Sequence, residues 1–449
     1  MQASTWAEHQ FGQVHCGDRR RTRRLVHMAT AMVTQPNASL PRQMGSPAAL
    51  KGAYRLMNTP SLTHACIQEP HWHHTRNQAH HHTVILMVQD TTEIDYTAHP
   101  CVSGLGPIGD GRGRGYLLQS LLAIDPTNHT VLGLANQIPV IRQGAPKGES
   151  CAQRRKRERE SQMWLTGIKA VGTPDTLSRW VHVGDRYADM WAFFTTCQST
   201  HTDFLVRVAQ DRRVASEEGV LSHVFAASRS LPCLGEHLRE VHTKTVRQAR
   251  LQVSAGEVMV LAPRQPSGQP PLSAWLVRVV EVGDPPHGEA PLEWLLLTTV
   301  PVVTSADAWE RVDWYRCRWM IEEYHQCLKT GCGLENSQFA TREALERFLG
   351  VIGIQSVALL QLRDLARQSP ATLATSVFPS DTVRLVAHLA QLPARTLTAE
   401  QFWKQIARIG GFQGRKRDGQ PGWKLLWKGW LHVLTLLDGI RLASSLTPL

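Results

Sequence analysis

Residues 314–335 read WYRCRWMIEEYHQCLKTGCGLE. Tyr315, Arg318, Glu322 and Lys329 follow one another at offsets of 3, 4 and 7 positions. An α-helix turns about 100° per residue, so one helix would carry all four side chains on one face. Trp314, Cys317, Ile321, Tyr324 and Leu328 form a neighbouring, mostly apolar stripe that would seat this helix on a core. Gly331 suits a C-terminal stop. The stretch therefore predicts a helix with a packed face beside a face bearing an aromatic hydroxyl, two cations and a carboxylate. Its plainer alternative is a solvated surface with an ordinary Arg–Glu pair.

Two further acids weigh against that alternative. Asp90 closes the apolar run TVILMVQD and Asp185 closes WVHVGD. A carboxylate at the C-terminal end of a buried strand is placed to face an active site. Three acids drawn together repel one another and need a cation, and hard oxygen ligands in that number suit Mg²⁺ or Mn²⁺.

With these acids in order, the chain resembles the DDE transposases of the bacterial insertion-sequence-four family, the Tn-five branch in particular. The spacing Tyr315-x2-Arg318-x3-Glu322-x6-Lys329 matches that family's Y-R-E-K signature. Asp90 within QDTT and Asp185 within GDRYAD match its two aspartate motifs, and the similarity extends through 16–26, 51–56 and 289–302. It implies a cut-and-paste DNA transposase that binds transposon ends, cleaves by metal-dependent phosphoryl transfer through a hairpin intermediate, and joins the ends to target DNA. Asp90, Asp185 and Glu322 are then the catalytic and metal-binding set, holding two Mg²⁺ or Mn²⁺ per active site, with Asp90 bridging. Tyr315, Arg318 and Lys329 would grip a DNA phosphate beside a flipped base, and Trp294 in EWLLLT would stack on that base. The other reading of Trp294 is a buried strand tryptophan. The second motif departs from the family: Tyr187 and Trp191 replace an acid and a histidine.

Net charge is +11 over 449 residues, which suits a polyanionic partner. Arg19, Arg20, Arg21, Arg23 and Arg24 crowd behind Asp18, a plausible helix cap. With Lys51, Tyr54 and Arg55 on a second helix at 47–57, they are the expected contacts to end DNA, phosphates being the natural partners of such a cluster. Double-stranded DNA, as terminal repeats and as target, is the expected partner, together with a second copy of the chain in the synaptic complex. Nine scattered cysteines without a CxxC framework point to neither a disulfide scaffold nor a zinc knuckle. The first residues lack an apolar signal core and no run approaches 18 uncharged apolar residues, so no membrane span is expected. The expected location is cytoplasmic and nucleoid-associated.

The expected fold class is α/β: a ribonuclease-H-like catalytic core with a β-rich insertion, plus helical N-terminal DNA-binding and C-terminal domains. The boundaries are 1–60 for the first, 61–367 for the catalytic domain with its insertion at about 211–300, and 368–449 for a dimerising helical domain. Strands are expected at 83–90, 116–124, 130–135, 180–185 and 203–208, and in the insertion at 249–254, 257–262, 274–281 and 292–298. The glycine-rich stretch 103–115 reads as a hairpin, 151–172 as a basic helix, and the histidine tract His71–His82 as a solvated helix end. Two alternatives remain: an end-binding inhibitor without catalysis, and a metal-dependent structure-selective nuclease.

Overall fold

The computed structural model describes residues 3–142, 148, 150, 160–216, 219–242, 246–263, 268–286, 288–415 and 419–446. Helices α1 (Ala3–Phe11), α2 (Arg19–Thr34), α3 (Leu40–Met44), α4 (Pro47–Met57) and α5 (His64–Ala79) come first. Side chains of Asp18, Ser46 and Thr63 accept the orphan N–H groups at the starts of α2, α4 and α5, as helix caps do. Leu25, Met28, Ala29 and Met32 of α2 bury against Phe11, Leu56 and Met57, so the period of the apolar residues fixes which side of α2 is left for its arginines.

Twelve strands among the described residues form one sheet. They are β1 (Val84–Asp95), β2 (Gly106–Ile108), β3 (Gly113–Asp125), β4 (Thr130–Val140), β5 (Arg179–Gly184), β6 (Asp203–Arg207), β7 (Arg213–Ala215), β8 (Leu221–His223), β9 (Cys233–His242), β10 (Val246–Val260), β11 (Leu272–Glu281) and β12 (Glu293–Thr298). The order is β2-β3-β1-β5-β6-β12-β11-β10-β7-β8, with β4 also on β3 and β9 also on β10. β1 runs antiparallel to β3 and parallel to β5, and β5 is parallel to β6. Helices α6 (Gln162–Val171) and α7 (Trp191–Ser199) flank β5 in the chain and cover one face through Trp164, Phe193 and Phe194. Alternate strand residues Leu86, Val88, Val181 and Val183 turn to the other face. This is a ribonuclease-H-like core with a mixed central sheet.

The β-rich stretch is no separate layer. β12 pairs with β6, Leu297 opposite Val206, so the insertion prolongs the core sheet. Residues 249–254 and 257–262, expected as two strands, lie largely in the single strand β10; Gly256 stays paired opposite Leu276. Glycine there is a matter of space, since a Cβ would come within 2.9 Å of Leu231. Helix α8 (Val224–Arg229) sits within this region.

Beyond the sheet lie α9 (Ser305–Arg316), α10 (Trp319–Gln326), α11 (Arg342–Gln368), α12 (Ala374–Val377), α13 (Ser380–Ala390), α14 (Ala399–Ile409) and α15 (Trp423–Leu446). The signature stretch is therefore not one straight helix. It breaks at Cys317 and Arg318, where Met320 and Ile321 bond back three residues to Cys317 and Arg318, and Cys327–Gly331 forms a π turn. Residues 342–365 of α11 are apolar enough to span a membrane, but the segment is a core helix, 83% buried, against α2, α4, α5 and β4. The last four helices share a core of Phe378, Phe402, Trp403, Ile406 and Leu426.

Of three smaller expectations, one changes. The hairpin at 103–115 forms through β2 and β3, while of the basic helix only Gln162–Val171 is seen; Arg154 to Arg159 lie outside the described residues. The histidine tract is not simply solvated. His71 is buried on α5, with Nδ1 2.7 Å from Gln10 Oε1 and Nε2 accepting the Leu134 N–H at 3.0 Å.

Candidate active site

Parallel pairing of β1 with β5 ends at Val88 and Val183. Past that point β1 continues to Asp95 while β5 stops at Gly184, so the strands part and leave a cleft. Asp90 projects beside it from the middle of β1, opposite Ser120 of β3. Asp185 stands at the end of β5. A side chain at Gly184 would meet Ala188 at 2.4 Å, so glycine permits the tight turn that follows. The Asp185 carboxylate caps that turn, accepting the Tyr187 N–H at 2.8 Å.

Glu322 comes from α10. Arg318, just before α10, donates to Asp90 Oδ2 at 3.2 Å and to Glu322 Oε1 at 2.7 Å. Burial and the nearby Asp185 charge push the Asp90 carboxyl up to about 6, against the Thr91 N–H and Arg318, which favour its ionised form. Burial pulls on the Arg318 guanidinium, yet the Glu322 hydrogen bond and charges of Glu322 and Asp90 leave it above its ordinary value. At Arg318 the acids together prevail over desolvation, whereas at Asp90 desolvation prevails over Arg318.

Tyr315 lies in the last turn of α9, buried, with its ring edge-on to Trp294 at 5.6 Å between centroids. Trp294 itself is half-buried on β12. It helps to wall a cavity of about 560 Å³ with Leu251, Val279, Leu292, Trp319 and Met320. Trp319 is 58% exposed, and the Arg318 guanidinium lies 5.1 Å from its ring centre.

Lys329 does not join the three acids. The π turn directs it to Glu335, 3.7 Å away, whose Oε1 also accepts the Asp95 N–H further along β1. Arg207 and Arg186 instead complete the cationic rim: burial and the charge of Arg186 lower the Arg207 guanidinium, and Arg207 also interacts with Tyr315. Both were readable as neighbours of the acid-bearing strands. Arg186 follows Asp185, and Arg207 ends FLVR, the strand parallel to β5.

The donor set is three hard carboxylates in a part-buried cleft, where burial first and the Asp185 charge second raise the Asp90 carboxyl. Such a set fits a divalent ion. Among the described residues no three ligand-type side chains stand close enough to hold one as arranged, and the Arg318 guanidinium bridges two of the acids.

Far along the chain, Arg19, Arg20, Arg23 and Arg24 are exposed on α2. Arg20, Arg23, Arg24 and His27 line a groove against Ala48 and Ala49 of α4. Arg21 turns inward to the Cys16 carbonyl at 3.3 Å. Lys51 and Arg55 are exposed. Tyr54, expected exposed, is half-buried edge-on to Phe339 at 5.7 Å, because its helix position falls beside the apolar face of α4.

Three family models match the chain in succession. Transposase DNA-binding matches residues 3–62, Transposase DDE domain matches 174–354, and Transposase Tn5 dimerisation domain matches 354–448. The chain belongs to the Tn5-like DDE transposases. The DDE match takes in Asp185 and Glu322 and begins past Asp90, which the fold supplies from β1. This transposase thus combines a DNA-binding unit, a metal-dependent catalytic domain and a dimer-forming unit in one chain.

Proposed function

We propose that the chain is a cut-and-paste transposase acting through a hairpin intermediate, with Asp90, Asp185 and Glu322 as its acid set. Asp90 and Glu322 meet on Arg318 while the Asp185 charge bears on Asp90, and this convergence is the observation that carries this reading. Asp90 would bridge two Mg²⁺ ions, with Asp185 and Glu322 completing one each. Such a pair supplies an activated oxygen nucleophile and a neutralised phosphate for in-line displacement.

The protein's own groups do the positioning. When Arg318 releases the acids it turns to the DNA phosphate, and Arg207, Arg186 and Tyr315 hold that phosphate from the neighbouring strands. Lys329, held by Glu335 here, reaches the backbone further along. Trp294 leaves Tyr315 to stack on a flipped base, and the cavity beside it gives the base room. The exposed arginines of α2, with Lys51 and Arg55, bind the terminal repeats. Water would cut one strand at each end, the freed 3′-OH would attack the opposite strand, and the hairpin would be opened and joined to target DNA. Residues 1–60, 61–367 and 368–449 would form the three working units, the last pairing two copies in the synaptic complex. A cytoplasmic, nucleoid-associated location follows from this activity.

The test is cleavage of the element's own ends with purified protein and Mg²⁺, with products resolved on denaturing gels. Nicks followed by hairpins support the full sequence of steps. Nicks on any branched DNA without end preference favour a structure-selective nuclease, and binding without cleavage favours an inhibitor.

A further inference from the structure

Asp90 stands on a strand and Glu322 on a helix, so their spacing depends on how α10 is rolled against the sheet. Tyr324 lies two residues beyond Glu322, about 200° round a helix. While Glu322 faces the cleft, Tyr324 points inward and is fully buried. Its hydroxyl accepts from Gln137 Nε2 at 2.8 Å and donates to the Gly353 carbonyl at 3.3 Å. The same Gln137 nitrogen donates to Ser120 Oγ at 3.1 Å.

Ser120 is opposite Asp90, and Gln137 is opposite Ser120. Directly opposed residues in antiparallel strands share a face, so Asp90, Ser120 and Gln137 form one row across β1, β3 and β4. The Gln137 carbonyl oxygen accepts from Gln68 Nε2 at 3.0 Å and lies 3.3 Å from His64 Nε2. Both amide hydrogens and the acceptor capacity of this buried glutamine are therefore used, and its orientation is fixed. Burial pushes the His64 imidazole down to about 4, so the cluster is uncharged near neutral pH. Space is fitted as closely as bonding. A Cβ at Gly353 would lie 2.5 Å from Gln68 Nε2 and 2.9 Å from Gln137 Oε1.

We propose that Gln137 is a positioning residue for the carboxylate site. Its amide ties Tyr324 of α10 to Ser120 of β3, and so sets the distance from Glu322 to Asp90 that joint ion binding needs. This rests on the reading of those two acids as shared ligands. Gln137 touches neither the acids nor the expected path of DNA.

Gln137→Met keeps the side chain's length and removes both donors. Tyr324→Phe removes only the hydroxyl. The full chain is tested on end DNA: binding without divalent ions, melting temperature, and nicking rate across a MnCl₂ titration. Metal-free end binding stays at the wild-type level. Nicking at saturating Mn²⁺ falls about tenfold to a hundredfold, the scale of a misplacement near 1 Å, and half-saturation moves to about tenfold more Mn²⁺. The double variant is slower than the slower single by less than about twofold, because the two changes break the same contact.

Wild-type half-saturation in the two variants overturns the proposal, even where rate and melting temperature fall together. If Gln137→Met does not fold, Tyr324→Phe alone decides between these results. A wild-type chain that fails to nick with Mn²⁺ removes the reading of the acid site itself. Wild-type nicking alongside unaltered variants removes only the role of Gln137.

Discussion

Arg318 Nη1 lies 3.2 Å from Asp90 Oδ2, a contact between residues 228 positions apart. With Glu322 at 2.7 Å on its other nitrogen, this guanidinium stands where the charge of two acids needs a cation. Two of the three acids thus find their cation within the protein, in the residue expected to hold a DNA phosphate.

Arg318→Met tests that substitution of one cation by another. Without divalent ions, the variant leaves Asp90 and Glu322 uncompensated and loses about 1–3 kcal/mol, the cost of an orphaned polar partner in a part-exposed pair. Mn²⁺ then stabilises the variant more than the wild type, because no internal cation competes. Urea unfolding with and without MnCl₂ measures both effects; equal stabilisation by Mn²⁺ contradicts this account of Arg318.

Asp90 gives a pH dependence. Its folded carboxyl is raised to about 6 from 3.8, so between those values the folded state binds more protons than the unfolded one. Stability of the metal-free protein therefore falls as pH rises from about 4 to 6 and stays low above it, by up to about 3 kcal/mol. Asp90→Asn removes this slope and is the more stable protein at pH 7 without metal. Unfolding midpoints across pH for the two proteins decide, and parallel curves count against the raised Asp90.

Trp294→Ala separates two steps of the reaction. Its edge-on contact with Tyr315 is worth about 0.5–1.5 kcal/mol beyond the area it buries, and the ring is only half-buried, so its loss costs the fold less than the roughly 3–5 kcal/mol of a core tryptophan. Stacking on an extruded base returns about 1–3 kcal/mol, and its loss slows hairpin formation about tenfold to a hundredfold while the first nick proceeds normally. Equal slowing of nick and hairpin with a lowered melting temperature would assign Trp294 to the core instead.

For the N-terminal unit, Arg20→Ala and Arg23→Ala each weaken end binding and lower the salt slope of the binding constant by about one unit per lost phosphate contact. Arg21→Ala, whose guanidinium is spent on the Cys16 carbonyl, changes that slope little. Fluorescence anisotropy on end DNA at several salt concentrations measures this. Equal slopes for all three variants would contradict the division between outward and inward arginines.

Much of this was legible in the residues. Apolar runs placed β1 and β5, and the cap Asp18 placed α2, because short-range pattern and side-chain chemistry decide those elements. Distant pairing was less accessible. Nothing local shows that β12 joins β6, which merges the insertion with the core sheet. The expected break between 249–254 and 257–262 does not occur, because the reason for glycine at 256, the crowding of Leu231, is a tertiary contact. The uniform helical offsets of Tyr315 to Lys329 hid the break at Arg318 and the π turn, and the turn sends Lys329 to Glu335 instead of the acids. Gln137 carried no signal at all. A glutamine in a strand becomes telling only when Tyr324, Ser120 and Gln68 are seen to meet on it.

Nicking of one end-DNA substrate with Mg²⁺ by the wild type and by Asp90→Ala, Asp185→Ala and Glu322→Ala, with gel-shift binding of the same DNA, addresses the central claim that these acids form one catalytic site. The account predicts that each substitution abolishes strand cleavage while end binding persists, since the acids sit apart from the α2 arginines. Full nicking by any one of the three variants would contradict it.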